Sequence, residues 1–315
     1  MLAILTIVAP VFALIASGYI ARRIGVMGGT AVSELNRFVV YLALPALLFD
    51  VMAHASWADL AQPRFIAAFG LACGIVFYAT VGWRLFSGQP LPLASIDGLL
   101  GSYANTAYMG FPVLLMLFGK DSLVPVTIAS IITVCVLFAS AIVLIEVGNQ
   151  GEQRPLRLAA KVLGSLSRNP ILVAPALGVV YGATELGLHP AADAFLDLLG
   201  GAASPLALVV IGLFLAEPRQ VTESEGRASL AHAAVKVIVH PALTWTLAVA
   251  LAVPPRLAAM AVLLAAMPTG TGPFMLAEFY RLPAVVTSAV ILLSTLGSLI
   301  TVPLLMLAAG TGAGP

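Results

Sequence analysis

The sequence predicts an all-α polytopic membrane protein. Of its 315 residues, 61% are hydrophobic and 9% are charged, and the mean hydropathy is +1.06. Average soluble domains are about 45–50% apolar and about 25% charged, so this chain has too few charges to cover a water-exposed surface. The composition excludes a soluble globular enzyme, a disordered chain and a secreted disulfide scaffold.

Ten apolar runs are long enough to cross a bilayer, which takes about 20 residues in a helix. The runs cover residues 2–21, 35–53, 65–86, 95–118, 123–147, 170–187, 195–215, 230–252, 257–280 and 285–308. Each far exceeds the roughly 10 residues of a barrel strand. The first run lacks a basic leader region, and we interpret it as a transmembrane helix, not a cleaved signal.

The distribution of Lys and Arg predicts the orientation of the chain. The even-numbered loops hold only Arg64, Lys120 and Arg256, Lys236 falls inside a span, and all other Lys and Arg residues lie in odd-numbered loops. Because cytoplasmic loops are enriched in Lys and Arg, we expect the odd-numbered loops in the cytoplasm and both termini outside.

Two pairs of prolines indicate an internal repeat. Pro45 and Pro205 lie in the second and seventh spans, and Pro112 and Pro273 lie in the fourth and ninth, at nearly the same offset. We predict a first five-helix repeat over residues 1–150, a cytoplasmic linker over 151–169 and a second repeat over 170–315. Five is an odd number of spans, so the second repeat must be inverted, as in many secondary transporters. The alternative is chance, because proline is frequent in membrane helices.

The fourth and ninth spans are predicted to be broken near the middle of the bilayer. Residues 102–112 and 267–274 combine Pro, Gly and small polar residues, which weaken a helix. Freed backbone groups must then be buried in protein or line a cavity, and the new helix N-termini carry partial positive charge. These breaks predict a site for a small anion or polar solute, and the alternative is a proline kink that serves packing alone. The substrate-binding candidates here are Asn105, Thr106, Tyr108, Pro112, Pro268, Thr269, Gly270 and Thr271.

Lys236 and His240 are further candidates for substrate binding, because they lie four residues apart on one face of the eighth span. An ionisable residue inside a span suggests function. The alternatives are that Lys236 extends to the headgroups and that His240 is a hydrogen-bonded core residue. Two glycine pairs, Gly70 with Gly74 and Gly178 with Gly182, have the spacing of helix-packing motifs.

Several motifs resemble those of the auxin efflux carrier family. Residues 105–112 and 268–280 resemble its crossover-helix motifs, and the segments 35–39 with 44–49, 168–170 and 236–241 resemble further motifs. The resemblance implies a ten-helix carrier with a scaffold and a transport domain, whose fourth and ninth helices cross at the substrate site. Bacterial members are linked to malonate or other small carboxylates, and plant members carry auxin. The short linker, and Thr269 where plant members tend to have an amide residue, favour a bacterial type in the inner membrane.

We therefore expect a secondary carrier of a small organic anion such as malonate, working by alternating access. The alternatives are a membrane sensor or receptor with a carrier-like site and a membrane-embedded enzyme. His240 is the one candidate base for an enzyme, and the sequence has no H-E-x-x-H, P-loop or G-x-S-x-G motif.

The expected partners are the organic anion and the lipid bilayer, with a homodimer as a candidate assembly. The net charge of +1 argues against nucleic acid, and Cys73 and Cys135 lack metal-ligand spacing, so no cofactor or metal is expected.

Overall fold

A computed structural model describes residues 2–54, 61–149, 164, 167–168, 170–216 and 223–308. Helices dominate these residues, and the β-type pairing found among them is one isolated antiparallel bridge between Ala104 and Thr269. The predicted linker, 151–169, lies almost wholly outside the described residues, so the proposed limits of the two repeats stay a prediction.

The described residues form sixteen α-helices. In chain order they are α1 (Leu2–Arg23), α2 (Ala31–Phe38), α3 (Leu44–His54), α4 (Pro63–Phe86), α5 (Leu91–Ser102), α6 (Phe111–Phe118), α7 (Leu123–Ile131), α8 (Phe138–Gly148), α9 (Pro170–Gly182), α10 (Pro190–Gly201), α11 (Ala203–Leu215), α12 (Glu223–Ala234), α13 (His240–Ala250), α14 (Pro255–Ala266), α15 (Gly272–Phe279) and α16 (Val285–Ala308). Single π-helical stretches join consecutive helices at Val39–Ala43, Thr106–Gly110, Ile132–Leu137 and Val235–Val239.

Six continuous helical segments among the described residues are long and apolar enough to cross a membrane. They are Ala31–His54, Pro63–Phe86, Lys120–Gly148, Pro190–Leu215, Glu225–Ala250 and Val285–Met306, and they coincide with the predicted second, third, fifth, seventh, eighth and tenth spans. The chain is therefore an integral membrane protein.

The predicted fourth and ninth spans are absent from this set because each is interrupted. The fourth consists of α5, with 12 residues, and α6, with 8 residues. The ninth consists of α14, with 12 residues, and α15, with 8 residues. Proline is the second residue of α15, a position in the first helical turn where its missing N–H costs nothing. Pro112 lies in α6, which continues from the π-helical stretch Thr106–Gly110. The count of ten spans stays a prediction.

Glycines allow two pairs of long helices to pack backbone to backbone. Helix α1 lies on α11, where a Cβ added at Gly212 would lie 1.9 Å from the carbonyl oxygen of Ile15. Helix α9 lies on α3, where a Cβ at Gly178 would lie 2.5 Å from the carbonyl oxygen of Phe49. Such close approach requires glycine. The first helix of each half of the chain thus lies against the second span of the other half.

Candidate substrate site

The two helix breaks bond to each other in the interior of the protein. The backbone N–H of Asn105 donates to the carbonyl oxygen of Pro268 at 2.8 Å, and the N–H of Gly270 donates to that of Tyr103 at 3.1 Å. These two bonds form a short antiparallel ladder around the Ala104–Thr269 bridge. Backbone groups that each break removes from its own helix are satisfied by the other break, as the interior of a membrane protein requires.

Each break begins a new helix with a polar residue. The carbonyl oxygen of Asn105 accepts hydrogen bonds from the N–H groups of Met109 and Gly110, so Asn105 stands at the N-cap of the second half of the fourth span. Thr271 directly precedes α15. Asn and Thr are favoured at this position, and a helix N-terminus carries partial positive charge. The N-termini of both new helices, with their partial positive charge, therefore lie at the paired breaks.

The hydroxyl of Thr269 closes the end of the opposite helix. It donates to the carbonyl oxygen of Leu100 at 2.7 Å, in the last turn of α5, where helical carbonyls have no partner of their own. The N–H of Thr269 donates to the hydroxyl oxygen of Ser294 at 3.0 Å. The hydroxyls of Thr106 and Thr133 lie 3.2 Å apart. Thr106 and Thr269 are both fully buried, and their hydroxyls hold the breaks in place.

Lys236 belongs to the π-helical stretch Val235–Val239 and is completely buried. Its side chain packs against the C-terminal end of α14. Its Nζ donates to the carbonyl oxygen of Ala265 and lies 3.2 Å from Nδ1 of His240. Nε2 of His240 lies 3.5 Å from Sγ of Cys73, and both of these residues are also buried. The ammonium therefore does not extend to the headgroups. It contacts the negative end of the helix dipole of α14, one residue before that helix ends.

Lys236 has no carboxylate partner among the residues that the structure describes: the ion pairs found there involve other side chains. An ionised group buried without an opposite charge is costly. The helix end and the His240 ring are its polar neighbours in the described hydrogen bonds, so the amine of Lys236 lies close to the breaks with no carboxylate beside it.

A cavity of about 820 Å³ reaches the fourth span from one side of the protein. Phe111 and Pro112, at the start of α6, form part of its wall, together with Leu47 and Pro205 from α3 and α11. Polar and charged residues also line this cavity: Asp50, His54, Gln62, Lys120, Asp121, Asp193 and Asp197. These charged residues lie at predicted outer ends of spans, so the cavity opens on the side that the charge distribution places outside.

The structure brings the predicted site residues together in part. Asn105, Pro268, Thr269 and Gly270 meet at the paired breaks, and Thr271 is half-buried beside them. Lys236 and His240 join this group through the end of α14. Among the predicted site residues whose side chains are described, Pro112 alone lines the cavity. The side chain of Tyr108 lies outside the described residues.

Two side chains at the breaks, those of Tyr103 and Ser294, were not predicted as site residues from the sequence. The ring of Tyr103 covers both glycines of the ninth span: a Cβ at Gly270 would lie 2.9 Å from its Cε1, and one at Gly272 would lie 2.7 Å from its Cζ. Ser294 accepts the bond from Thr269 described above. Tyr103 could have been predicted from its position two residues before Asn105. No feature of the sequence relates Ser294 to residue 269.

Comparison with known proteins agrees with the predicted resemblance. A family model described as membrane transport protein matches residues 3–306. A protein from Rhizobium meliloti (strain 1021) named "Putative malonate transporter" is 30% identical, over 98% of this chain and 97% of its own. An "Uncharacterized transporter" from Methanothermobacter thermautotrophicus is 27% identical over 93% of this chain and 94% of its own. The "Auxin efflux carrier component 8" of Arabidopsis thaliana is 22% identical over 93% of each chain. With a match that spans nearly its whole length, the chain belongs to the membrane transport protein family, the family of the auxin efflux carriers.

Proposed function

We propose that this protein is a secondary carrier that moves a small organic anion, malonate or a related carboxylate, across the bacterial inner membrane. The observation that carries the proposal is the mutual hydrogen bonding of the two helix breaks, Asn105 to Pro268 and Gly270 to Tyr103. Paired broken helices in corresponding positions of two halves mark the binding sites of many secondary transporters. The name of the Rhizobium meliloti relative supports malonate as the first substrate to test.

The electrostatics of the breaks favour an anion. Two helix N-termini start at Asn105 and Thr271, and the buried ammonium of Lys236 has no carboxylate partner among the described ion pairs. A carboxylate bound between the breaks would supply the missing negative charge. The amide of Asn105 and the hydroxyl of Thr271 add hydrogen-bonding groups suited to a carboxylate.

The cavity supports a route from the predicted outer side to the site. Phe111 and Pro112 form part of its wall, and they lie six and seven residues beyond Asn105 in the same broken helix. The paired breaks themselves are buried, so transport requires α6 and α15 to move relative to α3 and α11. The reciprocal packing of α1 on α11 and of α9 on α3 supports two inverted five-helix repeats, with the fourth and ninth helices crossing between them.

Counterflow in proteoliposomes tests this proposal. Vesicles loaded with unlabelled malonate should transiently accumulate labelled malonate from outside, because a carrier exchanges one molecule for the other. Unlabelled succinate and acetate define the substrate class. Malonamide is the matched control, since it keeps the shape of malonate and lacks its charge, and it should not compete. Malonate binding without counterflow would instead indicate a sensor, and competition by malonamide would exclude recognition of the charge.

A further inference from the structure

A second buried polar cluster lies beside the middle of α5, which ends at the first break. Nε of Arg84 donates to Oδ2 of Asp97 at 2.6 Å, and Nε2 of His232 lies 3.9 Å from the same oxygen. The side chains of Arg84, Asp97 and His232 are 15%, 3% and 0% exposed. Arg84 thus forms the rim of the cluster, and His232 lies at its inner end.

The imidazole of His232 has no hydrogen-bond partner on either ring nitrogen among the described residues. A neutral imidazole has one donor and one acceptor nitrogen, and buried polar groups in native proteins are nearly always paired. Its described neighbours are the Asp97 carboxylate and the ring of Trp83, whose centroid is 5.5 Å from that of His232. Packing alone gives no reason for a histidine here, because an apolar side chain would leave nothing unsatisfied.

The charged groups around His232 come from two other helices and from its own span. Asp97 belongs to α5 and Arg84 to α4, while Lys236 lies one turn further along the same span. Helix α16, which also packs on α12, has no titratable side chain over Val285–Ala308. On α12 itself, Arg227 pairs with Glu223 at 2.5 Å near the exposed start of the helix, and Glu225 precedes His232 by two turns. Asp97 is therefore the carboxylate that faces the ring.

We propose that Arg84, Asp97 and His232 form a proton-binding site, and that the bound proton is carried together with the organic anion. This inference rests on the carrier function proposed above. The proton comes from water and bonds to the lone pair on the imidazole of His232, giving an imidazolium. The Nε2–H then donates to Asp97 in a charge-assisted hydrogen bond, and the ring of Trp83 lies beside the cation, with 5.5 Å between the ring centroids. The same proton returns to water when the pair opens to the other side.

The position of the cluster links it to both helix breaks. Asp97 lies five residues before the end of α5, which places it roughly 8 Å along the helix from the first break. His232 lies one turn before Lys236, which bonds the end of α14. Protonation would draw α12 onto α5 by replacing a 3.9 Å contact with a hydrogen bond. This movement would act on the two helices whose ends form the substrate site.

Malonate accumulation driven by a pH gradient tests the site. Vesicles of the complete protein, held at zero membrane potential, receive an acidic outer medium. One coupled proton gives about tenfold accumulation per pH unit at equilibrium, and a protonophore should abolish it. In parallel, a pH dye trapped inside should report acidification when malonate is added at equal pH.

His232→Gln and Asp97→Asn should lose the accumulation, with counterflow at equal pH reporting whether each variant is folded. The matched control Glu223→Gln, a carboxylate change on the exposed start of α12, should accumulate malonate like the unmodified protein.

The results separate this inference from the function on which it rests. If the unmodified protein shows no malonate counterflow, the proposed function itself fails. If counterflow occurs but neither a pH gradient nor the trapped dye reveals coupled protons, the proton site is wrong while the carrier stands. Accumulation by His232→Gln equal to that of the unmodified protein would also overturn the site. Should His232→Gln fail to fold, Asp97→Asn and the dye measurement on the unmodified protein decide the question.

Discussion

At the two helix breaks, single side chains take over hydrogen bonds that an interrupted helix has lost. Thr269 closes the end of α5 through Leu100, and Lys236 closes the end of α14 through Ala265. Each residue comes from a different span than the carbonyl that it satisfies. The shape of the candidate site therefore depends on side chains far apart in the chain.

We predict that Thr269→Val weakens the fold at the breaks. Valine has nearly the same shape as threonine but leaves the carbonyl of Leu100 without its donor, which costs about 1–3 kcal/mol for a buried group. The melting temperature in detergent should fall, and malonate counterflow should fall with it. Thr295→Val is the matched control, because its buried hydroxyl bonds Ile291 within its own helix. Equal melting temperatures for the two variants would contradict the role given to Thr269.

We predict that Lys236→Gln raises the apparent KM for malonate about tenfold. Removing one positive charge near a partly wet site costs about 1–2 kcal/mol at an effective dielectric near 20. Lys236→Arg keeps the charge and should largely restore transport. Initial rates of uptake at low malonate concentration measure both variants. Transport by Lys236→Gln at the unmodified rate would show that the ammonium serves the helix end alone.

The residues of the breaks were predictable, but their partners were not. Asn105, Pro268 and Gly270 were found because Pro, Gly and small polar residues are conspicuous inside an apolar run. The bond from Thr269 to Leu100 joins residues 169 positions apart, and the contact from Cys73 to His240 joins residues 167 apart. Local sequence patterns carry no information about such pairs, which depend on how the spans are packed.

At the scale of helices, backbone contact at glycine decides which spans lie together. The spacing of two glycine pairs predicted close helix packing. Gly178 and Gly182 do approach α3 closely, as predicted. For Gly70 and Gly74 the prediction was wrong: Gly70 faces only the end of the Ile132 side chain at 3.9 Å, and no described atom comes within 4 Å of a Cβ at Gly74. The spacing was the same in both pairs, so the difference lies in the neighbouring helix.

We predict that Gly212→Ala disrupts the protein and that Gly74→Ala does not. A methyl group at residue 212 would meet a backbone carbonyl of α1 at 1.9 Å, and the two helices would have to separate. At residue 74 there is space, and alanine should favour the helix by about 1 kcal/mol. The yield of monodisperse protein after extraction and the melting temperature compare the two variants. Equal behaviour would show that α1 and α11 do not pack in this way.

At the scale of the whole molecule, the sequence predicted the membrane class because that depends on composition. Six spans appear as continuous helices, while the predicted fourth and ninth are divided by their breaks, which is what the Pro and Gly residues indicated. The cavity was not predicted as one feature. Asp50, Asp193 and Asp197 lie in separate segments of the sequence, and only the folded chain places them around one opening.

We predict that Glu185→Cys is labelled from outside intact cells and that Ser87→Cys is not. Both positions are exposed in the structure, and the Lys and Arg distribution places residue 185 in an outer loop and residue 87 in a cytoplasmic one. A membrane-impermeant maleimide makes the measurement, and cells with the unmodified chain give the background. Labelling of residue 87 without residue 185 would reverse the orientation.

Malonate affinity of Asn105→Asp tests most directly whether the paired breaks bind the anion. Aspartate caps a helix as well as asparagine does and has nearly the same shape, so the fold should be retained. It would place a negative charge where the carboxylate is proposed to lie, and like charges repel by several kcal/mol at close range. Titration of the purified protein should show affinity reduced at least about tenfold, with an unchanged melting temperature. Unchanged affinity in a folded Asn105→Asp protein would contradict the proposal and place the malonate site away from the breaks.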